Sequence, residues 1–365
     1  MLSSVEWGEY RIGDLFESCN GDFDIQKRHI NGKGEYVITA GQTNNGVLGR
    51  SDVSARIFPS GTLTVDMFGY AYYRSFEYRL VTHARVFSLM PKFDITPPSG
   101  LFISNTLHYL PLLFGYENMC SWAKIKDEHI QLPTRDGKID FMFMERFVAE
   151  LKAQRVAELK AYLTVTGLSD YTLTPEEQQA IQDFQEGNLQ WCDYRLTSVF
   201  EVKNAGNILS SEVVAGSGST PYLCASRENN AVSSYVSYKD EMLSEGNCIF
   251  IGGKTFVVTY QEKDFFSNDS HNLILRLYEA EHRTKRKQLY LTTCIDKSLR
   301  HRYSWGDSIS NKKIQADKVT LPTSSDKLDY TQMETFIRAI EKLVIRDVVL
   351  YADRELAATQ QVINQ

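Results

Sequence analysis

A segment that occurs twice organises this chain. The first copy reads LPTRDGKIDFMFMERFVAEL from Leu132 to Leu151, and the second reads LPTSSDKLDYTQMETFIRAI from Leu321 to Ile340. The copies align without a gap, and each residue of the second copy lies 189 positions after its counterpart in the first. They share an opening Leu-Pro-Thr, a Lys-x-Asp and a Met-Glu-x-Phe, so the chain contains an internal duplication.

Each copy predicts an extended entry followed by a long helix. Pro133 and Pro322 disfavour a helical conformation for the residue before them. Asp140 and Asp329 suit an N-cap, where a carboxylate accepts the free amide protons of the first turn. The following residues predict one apolar face on a helix of about 24 residues, roughly 36 Å long.

The two apolar stripes are similar enough to pair with each other in a two-stranded coiled coil. Gln154 and Arg155 interrupt the first stripe. The alternative is two ordinary amphipathic helices that pack on two separate cores. The predicted stripes are Met144, Phe147, Val148, Leu151, Leu159 and Tyr162 in the first copy, and Met333, Phe336, Ile337, Ile340, Leu343, Val344, Val348 and Tyr351 in the second.

Bulk properties indicate a globular protein of two domains. The 365 residues include 42% hydrophobic and 12% aromatic side chains, enough for sizeable cores. The six cysteines are scattered without a Cys-x-x-Cys pair, which favours a reduced, cytoplasmic setting over zinc ribbons or disulfides. We expect no signal peptide and no membrane span. The net charge of −6 argues only mildly against nucleic-acid binding.

The duplication extends beyond the helices. The opening WGEYRIGDLFE at Trp7 matches WCDYRLTSVFE at Trp191, and Ser121-Trp122 resembles Ser304-Trp305, with six more residues before the second Leu-Pro. We therefore expect a globular domain, a helix, a second globular domain and a second helix. The predicted divisions are a first domain at 1–135, a first helix at 136–166, a connector at 167–188, a second domain at 189–324, and a second helix with a C-terminal tail at 325–365.

The predicted fold class is α+β, with strand-rich domains. Short runs of β-forming residues are expected as strands at 36–39, 62–67, 85–90, 248–251, 255–260 and 273–277. Helices are expected near 104–114 and 281–294. In the connector, Thr174-Pro175-Glu176-Glu177 is a capping box that opens a short acidic helix to about Glu186. We interpret this helix as a solvated connector, with a docking surface as the alternative.

No catalytic motif is visible in the sequence. Gly253-Lys254-Thr255 lacks the glycine that a phosphate-binding loop needs five positions before its last glycine, and a strand-like run follows where a helix should begin. Asp193 with Glu201 and Lys203 resembles a nuclease acidic pair with a lysine, but the other repeat lacks the lysine. The tetrapeptide of amino-methyltransferases is absent, and the seven histidines show no metal-ligand spacing.

Polar loops in both halves are suited to nucleic-acid recognition. Amide side chains can pair with adenine, arginine with guanine, and basic clusters with phosphates. Taken singly, each such loop is more often an ordinary turn or a solvated face, but the occurrence of such loops in both halves strengthens the functional interpretation. The candidate DNA-binding residues are Lys27, Arg28, Gln42, Asn44, Asn45, Tyr70, Arg74, Arg227, Asn229, Asn230, Lys254, Arg302 and Lys312.

These motifs together resemble the specificity subunits of bacterial restriction–modification systems. The resemblance rests on the Trp-x-x-Tyr-Arg openings, the Ser-Trp pairs and the Leu-Pro-x6-Asp-Phe/Tyr-x2-Met-Glu entries, and it covers nearly the whole chain. The connector Gly167-Leu-Ser-Asp-Tyr-x-Leu-Thr-Pro-Glu-Glu is similar to that of the Type IIB (BcgI-like) branch, and the Type I branch looks similar.

The resemblance implies two pseudo-twofold-related target-recognition domains joined by two long antiparallel helices. Each domain would read one half of a split, asymmetric DNA target, in a system of phage defence. No residue-level base contacts carry over, because they vary within this family. The helices would dock methyltransferase or fused methyltransferase–nuclease subunits, which would bring S-adenosylmethionine and Mg²⁺, so that this chain needs no cofactor or metal. The candidate docking residues are Phe141, Glu145, Tyr330 and Glu334.

The helix length agrees with this reading. A spacer of roughly 36 Å matches about one turn of B-DNA, the usual separation of half-sites read from one side, and leaves about six unread base pairs. Two other classes stay open. One is a stand-alone DNA-cleaving enzyme with an unrecognised active site, and the other is an interaction scaffold with no role on DNA.

Overall fold

The computed structural model describes residues 2–363, with side chains to residue 358. The chain divides into two compact units: unit 1 comprises the residues up to 162 and those from 352 on, and unit 2 comprises residues 163–351. Residues 364 and 365 of the predicted C-terminal tail lie outside the described residues. Within the described range, no helix combines the length and apolar character needed to cross a membrane.

The first half of the chain alternates short strands with a few helices. Its strands are β1 (Glu6–Arg11), β2 (Phe16–Asn20), β3 (Glu35–Ile38), β4 (Val47–Ser51), β5 (Thr62–Val65), β6 (Ala71–Arg74), β7 (Tyr78–Leu80), β8 (Phe87–Pro91), β9 (His129–Arg135) and β10 (Lys138–Ile139). Its helices are α1 (Ile12–Leu15), α2 (Pro97–Thr106), α3 (Trp122–Ile125) and the long α4 (Phe141–Val165).

The second half repeats this order after the connector helix. Its strands are β11 (Gln190–Arg195), β12 (Phe200–Asn204), β13 (Thr220–Leu223), β14 (Val232–Val236), β15 (Cys248–Gly252), β16 (Val257–Gln261), β17 (Phe266–Ser267), β18 (Leu273–Leu277), β19 (Lys318–Ser324) and β20 (Lys327–Leu328). Its helices are α5 (Pro175–Glu186), α6 (Leu196–Val199), α7 (Lys285–Leu299), α8 (Asn311–Ile314) and α9 (Tyr330–Ile363).

The sheets of the two halves have the same topology. The order β2-β8-β5-β6 recurs as β12-β18-β15-β16, and β4-β3-β7 recurs as β14-β13-β17. The third sheet, β1-β9-β10, recurs as β11-β19-β20 and pairs the Trp-x-x-Tyr-Arg strand with the Leu-Pro strand in matched register. The predicted duplication and the α+β class are therefore confirmed.

Each long helix begins inside the core of its own domain. Met144 and Met333, at matched positions of the repeat, are fully buried against the sheet of their domain. The predicted caps are confirmed, because Asp140 accepts the amide of Phe143 at 2.9 Å and Asp329 accepts that of Gln332 at 2.8 Å.

Two predicted domain helices are displaced along the chain. The structure places α2 at Pro97–Thr106 rather than 104–114, and α7 at Lys285–Leu299 rather than 281–294. Thr96 and Thr284 cap them, each accepting an amide proton from the third residue of the helix. Thr96 is followed by proline, the same signal that located α5, so sequence alone could have found α2.

The C-terminal parts of the long helices bury a different stripe from the predicted one. Val156 and Leu163 of α4 are buried, whereas the predicted Leu151 and Tyr162 are exposed. On α9, the predicted Val344, Val348 and Tyr351 are likewise exposed, and Val349 and Ala352 are buried. The stripe is correct near the domains, where the sheet selects the face, and wrong beyond them.

Within unit 1, ion pairs join α4 to the end of α9. Lys152 pairs with Glu355 at 2.5 Å and Lys160 with Asp353 at 2.8 Å. The partners run in opposite order along the two helices, as in an antiparallel pair.

The connector helix α5 packs on unit 2 and is not merely solvated. Its capping box is confirmed, with Thr174 and Glu177 bonded reciprocally. Glu177 is only 1% exposed and pairs with Lys342 of α9 at 3.0 Å. The Phe184 ring lies 4.8 Å from that of Phe336. The interpretation as a solvated connector was wrong, because Glu177 and Phe184 both contact α9.

Candidate nucleic-acid interface

Matched turns of unusual backbone geometry carry the paired asparagines. Asn44 and Asn45 both have left-handed conformations, with φ of 50° and 51°, and Asn229 and Asn230 have φ of 48° and 52°. Successive left-handed residues other than glycine are uncommon, and asparagine tolerates the conformation best among larger residues. We call these segments, 42–46 and 227–231, the Asn-Asn turns.

The Asn-Asn turns are fixed to the domain in the same way. The amide of Thr39 donates to Gly46 at 2.8 Å, and that of Cys224 donates to Ala231 at 2.9 Å. The side chains of the first asparagines donate to the backbone three residues on, to Val47 at 3.3 Å and to Val232 at 3.0 Å. Such close matching in segments of different sequence indicates a shared framework rather than a chance turn.

Arg74 supports the first Asn-Asn turn from below. Only 2% of Arg74 is exposed, and its guanidinium donates to Thr64 Oγ1 at 2.9 Å and to the Asn45 carbonyl at 2.8 Å. Burial lowers the pKa of Arg74 to about 10, so the side chain stays protonated at neutral pH. The sequence predicts a DNA contact for Arg74, but these internal bonds give it a supporting position.

Gln261 supports the second Asn-Asn turn in the corresponding place. It ends β16 as Arg74 ends β6, and it donates to the Asn230 carbonyl at 2.9 Å. The Asn230 side chain also donates to Tyr260 at 3.0 Å. Sequence reasoning missed Gln261, because its role depends on the pairing of β15 with β16.

The first Asn-Asn turn borders an open cavity of about 650 Å³. Asn44 and Asn45 line it together with Tyr36, Tyr72 and His108. Gln42 is exposed at the start of the turn, and half-buried Tyr70 lies in the β5–β6 turn. Asp66 joins these two loops, accepting the amides of Gly41 at 2.7 Å and Tyr70 at 3.0 Å, while burial raises its pKa. The structure thus brings four of the predicted residues onto one surface: Gln42, Asn44, Asn45 and Tyr70.

Lys27 and Arg28 lie apart from the Asn-Asn turn. They are exposed on a short 3₁₀ turn whose last residue, His29, accepts the Ser51 hydroxyl at 2.7 Å. Ser51 is the last residue of β4, and the Asn-Asn turn directly precedes the first. The basic turn therefore lies about 15 Å from the Asn-Asn turn, at the other end of the strand. This spacing suits a phosphate contact beside the candidate reading surface.

In unit 2, Arg227, Lys254 and Lys312 are exposed. Lys254, in the β15–β16 turn, pairs with Asp269 at 2.7 Å. Burial alone would raise the pKa of Asp269, but hydrogen bonds from Lys254 and His271 outweigh this effect and lower it to about 2. Arg302 is half-exposed and pairs with the buried Asp317 at 2.5 Å. Two of the predicted cations therefore already have carboxylate partners.

The predicted partner-docking residues are engaged within their own units. Glu145 accepts the hydroxyl of Thr96 at 2.6 Å, and Glu334 accepts that of Thr284 at 2.7 Å. The ring of Phe141 packs 5.1 Å from Phe93, and Tyr330 is buried against His282. These residues join each long helix to its domain, so their position argues against direct docking of a partner.

The alignment of the two Ser-Trp pairs is also corrected. Ser310 caps α8 as Ser121 precedes α3, and both helices end at a fully buried isoleucine, Ile314 and Ile125. Ser310, and not Ser304, is therefore the counterpart of Ser121, at the same offset of 189 positions as between the two helix entries. Trp122 packs on its domain core, whereas Trp305 lies earlier on an exposed turn.

The rejected catalytic motifs are placed as ordinary structure. Glu201 pairs with Lys203 at 2.8 Å, and Asp193 accepts the Thr320 hydroxyl at 2.8 Å. After Lys254 the chain continues into strand β16, where a phosphate-binding loop would begin a helix. Within the described range, Glu279, Glu281 and His282 have ligand-type atoms within 4.8 Å of one another, and both glutamates are exposed.

Comparison with known proteins defines the family. The sequence model described as Type I restriction modification DNA specificity domain matches residues 4–161 and again 188–350. The chain belongs to this family, and it is a DNA sequence-specificity subunit of a restriction–modification system.

Individual relatives agree with this assignment. The chain is 22% identical over 352 residues to the specificity subunit S.BcgI of a Type II restriction enzyme from Heyndrickxia coagulans, covering 94% of this chain and 97% of that protein. The fold is similar to the crystal structure of the S subunit of a Type I restriction–modification system from M. genitalium. That match has a TM-score of 0.57 and 14% identity, and covers 98% of this chain and 94% of the other.

Proposed function

We propose that this chain reads a bipartite, asymmetric DNA target, with one recognition domain for each half-site, and has no catalytic activity of its own. The supporting observation is that the same framework carries different side chains in the two units. Exposed Gln42 is the first residue of the first Asn-Asn turn, and exposed Arg227 is the first residue of the second. Arg74 supports the first turn, whereas Gln261 supports the second. Because glutamine favours adenine and arginine favours guanine, the two half-sites should differ.

The long helices act as spacer and docking platform in this proposal. α4 contains 25 residues, about 37 Å, which corresponds to roughly one turn of B-DNA and about six unread base pairs between half-sites. Partner subunits would cover exposed apolar side chains that a solvated helix does not need. On the described part of these helices they are Met142, Leu151 and Val165 of α4, and Leu343, Val344, Val348 and Leu350 of α9.

The partners would be methyltransferase or fused methyltransferase–nuclease subunits, which would bring S-adenosylmethionine and Mg²⁺. The internal bonds of Glu145 and Glu334 support docking on apolar helix faces rather than on those carboxylates.

Reconstitution with the methyltransferase subunit tests the proposal. We expect the complex to methylate a split sequence with two different halves, and the purified chain alone to show neither methyl transfer nor Mg²⁺-dependent cleavage. Gln42→Arg should change the preference in one half-site and Arg227→Gln in the other, each by about 1–3 kcal/mol at one position. Cleavage of DNA by the chain alone would favour a stand-alone enzyme. Absence of salt-dependent binding to duplex DNA would favour an interaction scaffold with no role on DNA.

A further inference from the structure

Each unit presents an aromatic side chain on a tight four-residue turn. In unit 1, Gly115 and Asn118 exchange backbone hydrogen bonds of 3.1 and 3.2 Å, and in unit 2 Ser304 and Asp307 exchange bonds of 3.3 and 3.1 Å. The second residue of each turn is aromatic and largely in solvent: Tyr116 is 74% exposed and Trp305 is 78% exposed. We call these the aromatic turns.

A lysine holds each aromatic turn in the same way. Lys124 donates to the Asn118 side chain at 2.6 Å and to the Met119 carbonyl at 2.8 Å. The matched Lys313 donates to the Asp307 side chain and, at 2.8 Å, to the Ser308 carbonyl. Each residue of the second turn, and its lysine, lies 189 positions after its counterpart in the first, so the two turns occupy equivalent positions in the duplication. An exposed aromatic side chain on the same rigid turn in both units suggests a contact outside the chain.

The aromatic turns lie at one end of the candidate reading surface. In unit 1, the Tyr116 ring packs edge-on at 5.0 Å against Phe68 in the β5–β6 turn. In unit 2, Tyr303, which precedes the turn, stacks at 5.4 Å on Phe256 at the start of β16. These strand turns also reach the segments beside the Asn-Asn turns. In unit 1, Asp66 of the β5–β6 turn accepts the amide of Gly41 at 2.7 Å, and in unit 2 Thr255 of the β15–β16 turn donates to the Ala225 carbonyl at 2.6 Å.

Exposed cations lie beside both turns. In unit 2, Arg300, Arg302 and Lys313 pair with Asp296, Asp317 and Asp307 but remain about half exposed, and Lys312 is exposed. In unit 1, Arg85 and Lys124 line the same cleft as Tyr116, together with Glu117. A cationic surface with an exposed aromatic ring is suited to nucleic acid, because the cations meet phosphates while the ring stacks on a base or wedges into a base step.

We propose that Tyr116 and Trp305 contact duplex DNA at the edge of each half-site, through stacking or wedging rather than base-specific hydrogen bonds. The inference rests on the proposed function and adds contacts that supply affinity without sequence information. Continuity with the Asn-Asn turns and the exposed cations beside the aromatic turns favour DNA over a partner subunit as the contact.

The test uses the chain assembled with its methyltransferase subunit and a duplex that contains the methylated sequence. Tyr116→Ala and Trp305→Ala should each weaken binding roughly 5- to 150-fold, the range for loss of one aromatic–base contact. Trp305→Phe should keep most of the affinity. The salt dependence of binding should stay unchanged, because no charge is removed, and the methylated sequence should stay the same. Tyr278→Ala is the control, because Tyr278 is an exposed aromatic that follows β18 and belongs to neither an aromatic turn nor an Asn-Asn turn; this variant should bind like the unaltered complex.

The outcomes are distinguishable. Unchanged affinity in both alanine variants would overturn the inference while leaving the proposed function intact. Loss of subunit assembly in the absence of DNA would also overturn it, because the aromatic turns would then be protein contacts. Quenching of Trp305 fluorescence by the duplex, lost in Trp305→Phe, would support it. Failure of the unaltered complex to bind any duplex would overturn the proposed function and this inference together.

Discussion

Lengthening both long helices should widen the unread gap of the DNA target. We suggest inserting seven residues into α4 after Leu151 and seven into α9 after Glu355, directly beside the Lys152–Glu355 ion pair. Seven residues are close to two helical turns, so the apolar stripes stay in phase. These sites leave both ion pairs between α4 and α9 intact. They also spare the contacts of α5 with Phe336 and Lys342.

The expected change follows from helix geometry. Seven residues at about 1.5 Å each add roughly 10 Å, which is about three base pairs at ~3.4 Å per pair. The recognition domain turns by only about 20° relative to its helix, whereas three base pairs rotate the DNA by roughly 100°. We therefore expect weaker binding as well as a longer gap, unless the DNA twists to compensate.

The assay is the sequence of the sites that the complex methylates. The extended subunit is co-expressed with its methyltransferase subunit, and methylated positions are mapped across the host genome. Both half-site sequences should stay unchanged while the gap between them grows by about three base pairs. A subunit extended in α4 alone is the control, because it disturbs the helix pair without a matched extension.

Recovery of the original gap at full activity would refute the reasoning. It would mean that the helices do not set the distance between the two recognition domains. A change in either half-site sequence would also count against it, since the insertions lie outside both domains.

Three further predictions concern the supports of the fold and are checked by denaturant unfolding. Lys342→Met should destabilise unit 2 by roughly 3 kcal/mol, because it leaves the buried Glu177 without its cation. Glu334→Gln should lower the free energy of unfolding by about 1–2 kcal/mol, because its hydrogen bonds to Thr284 and Arg286 become weaker. Unchanged stability would show that these bonds between α9 and α7 contribute nothing. The lowered pKa of Asp269 should stabilise the fold above pH 4 by up to about 2 kcal/mol, with the contribution lost as the pH falls towards 2. Asp269→Asn should therefore differ from the unaltered chain most at neutral pH and least near pH 2.

Sequence alone determined the duplication, the strand-rich α+β class and the starts of the long helices. The starts of the long helices depend on local chemistry: Asp140 and Asp329 accept amides three residues further along the chain. A capping side chain and a proline act within the first turn of a helix. The start of the helix can therefore be predicted without knowledge of the rest of the fold.

The tertiary structure decided which side chains are free to meet DNA or a partner. Arg74 and Glu145 look like surface groups in the sequence, but the pairing of β6 and the packing of α2 turn them into internal supports. Trp122 and Trp305 look equivalent, yet one packs on a core and the other is exposed on a rigid turn. Burial depends on strands and helices brought together from distant positions in the chain, and no local pattern records that.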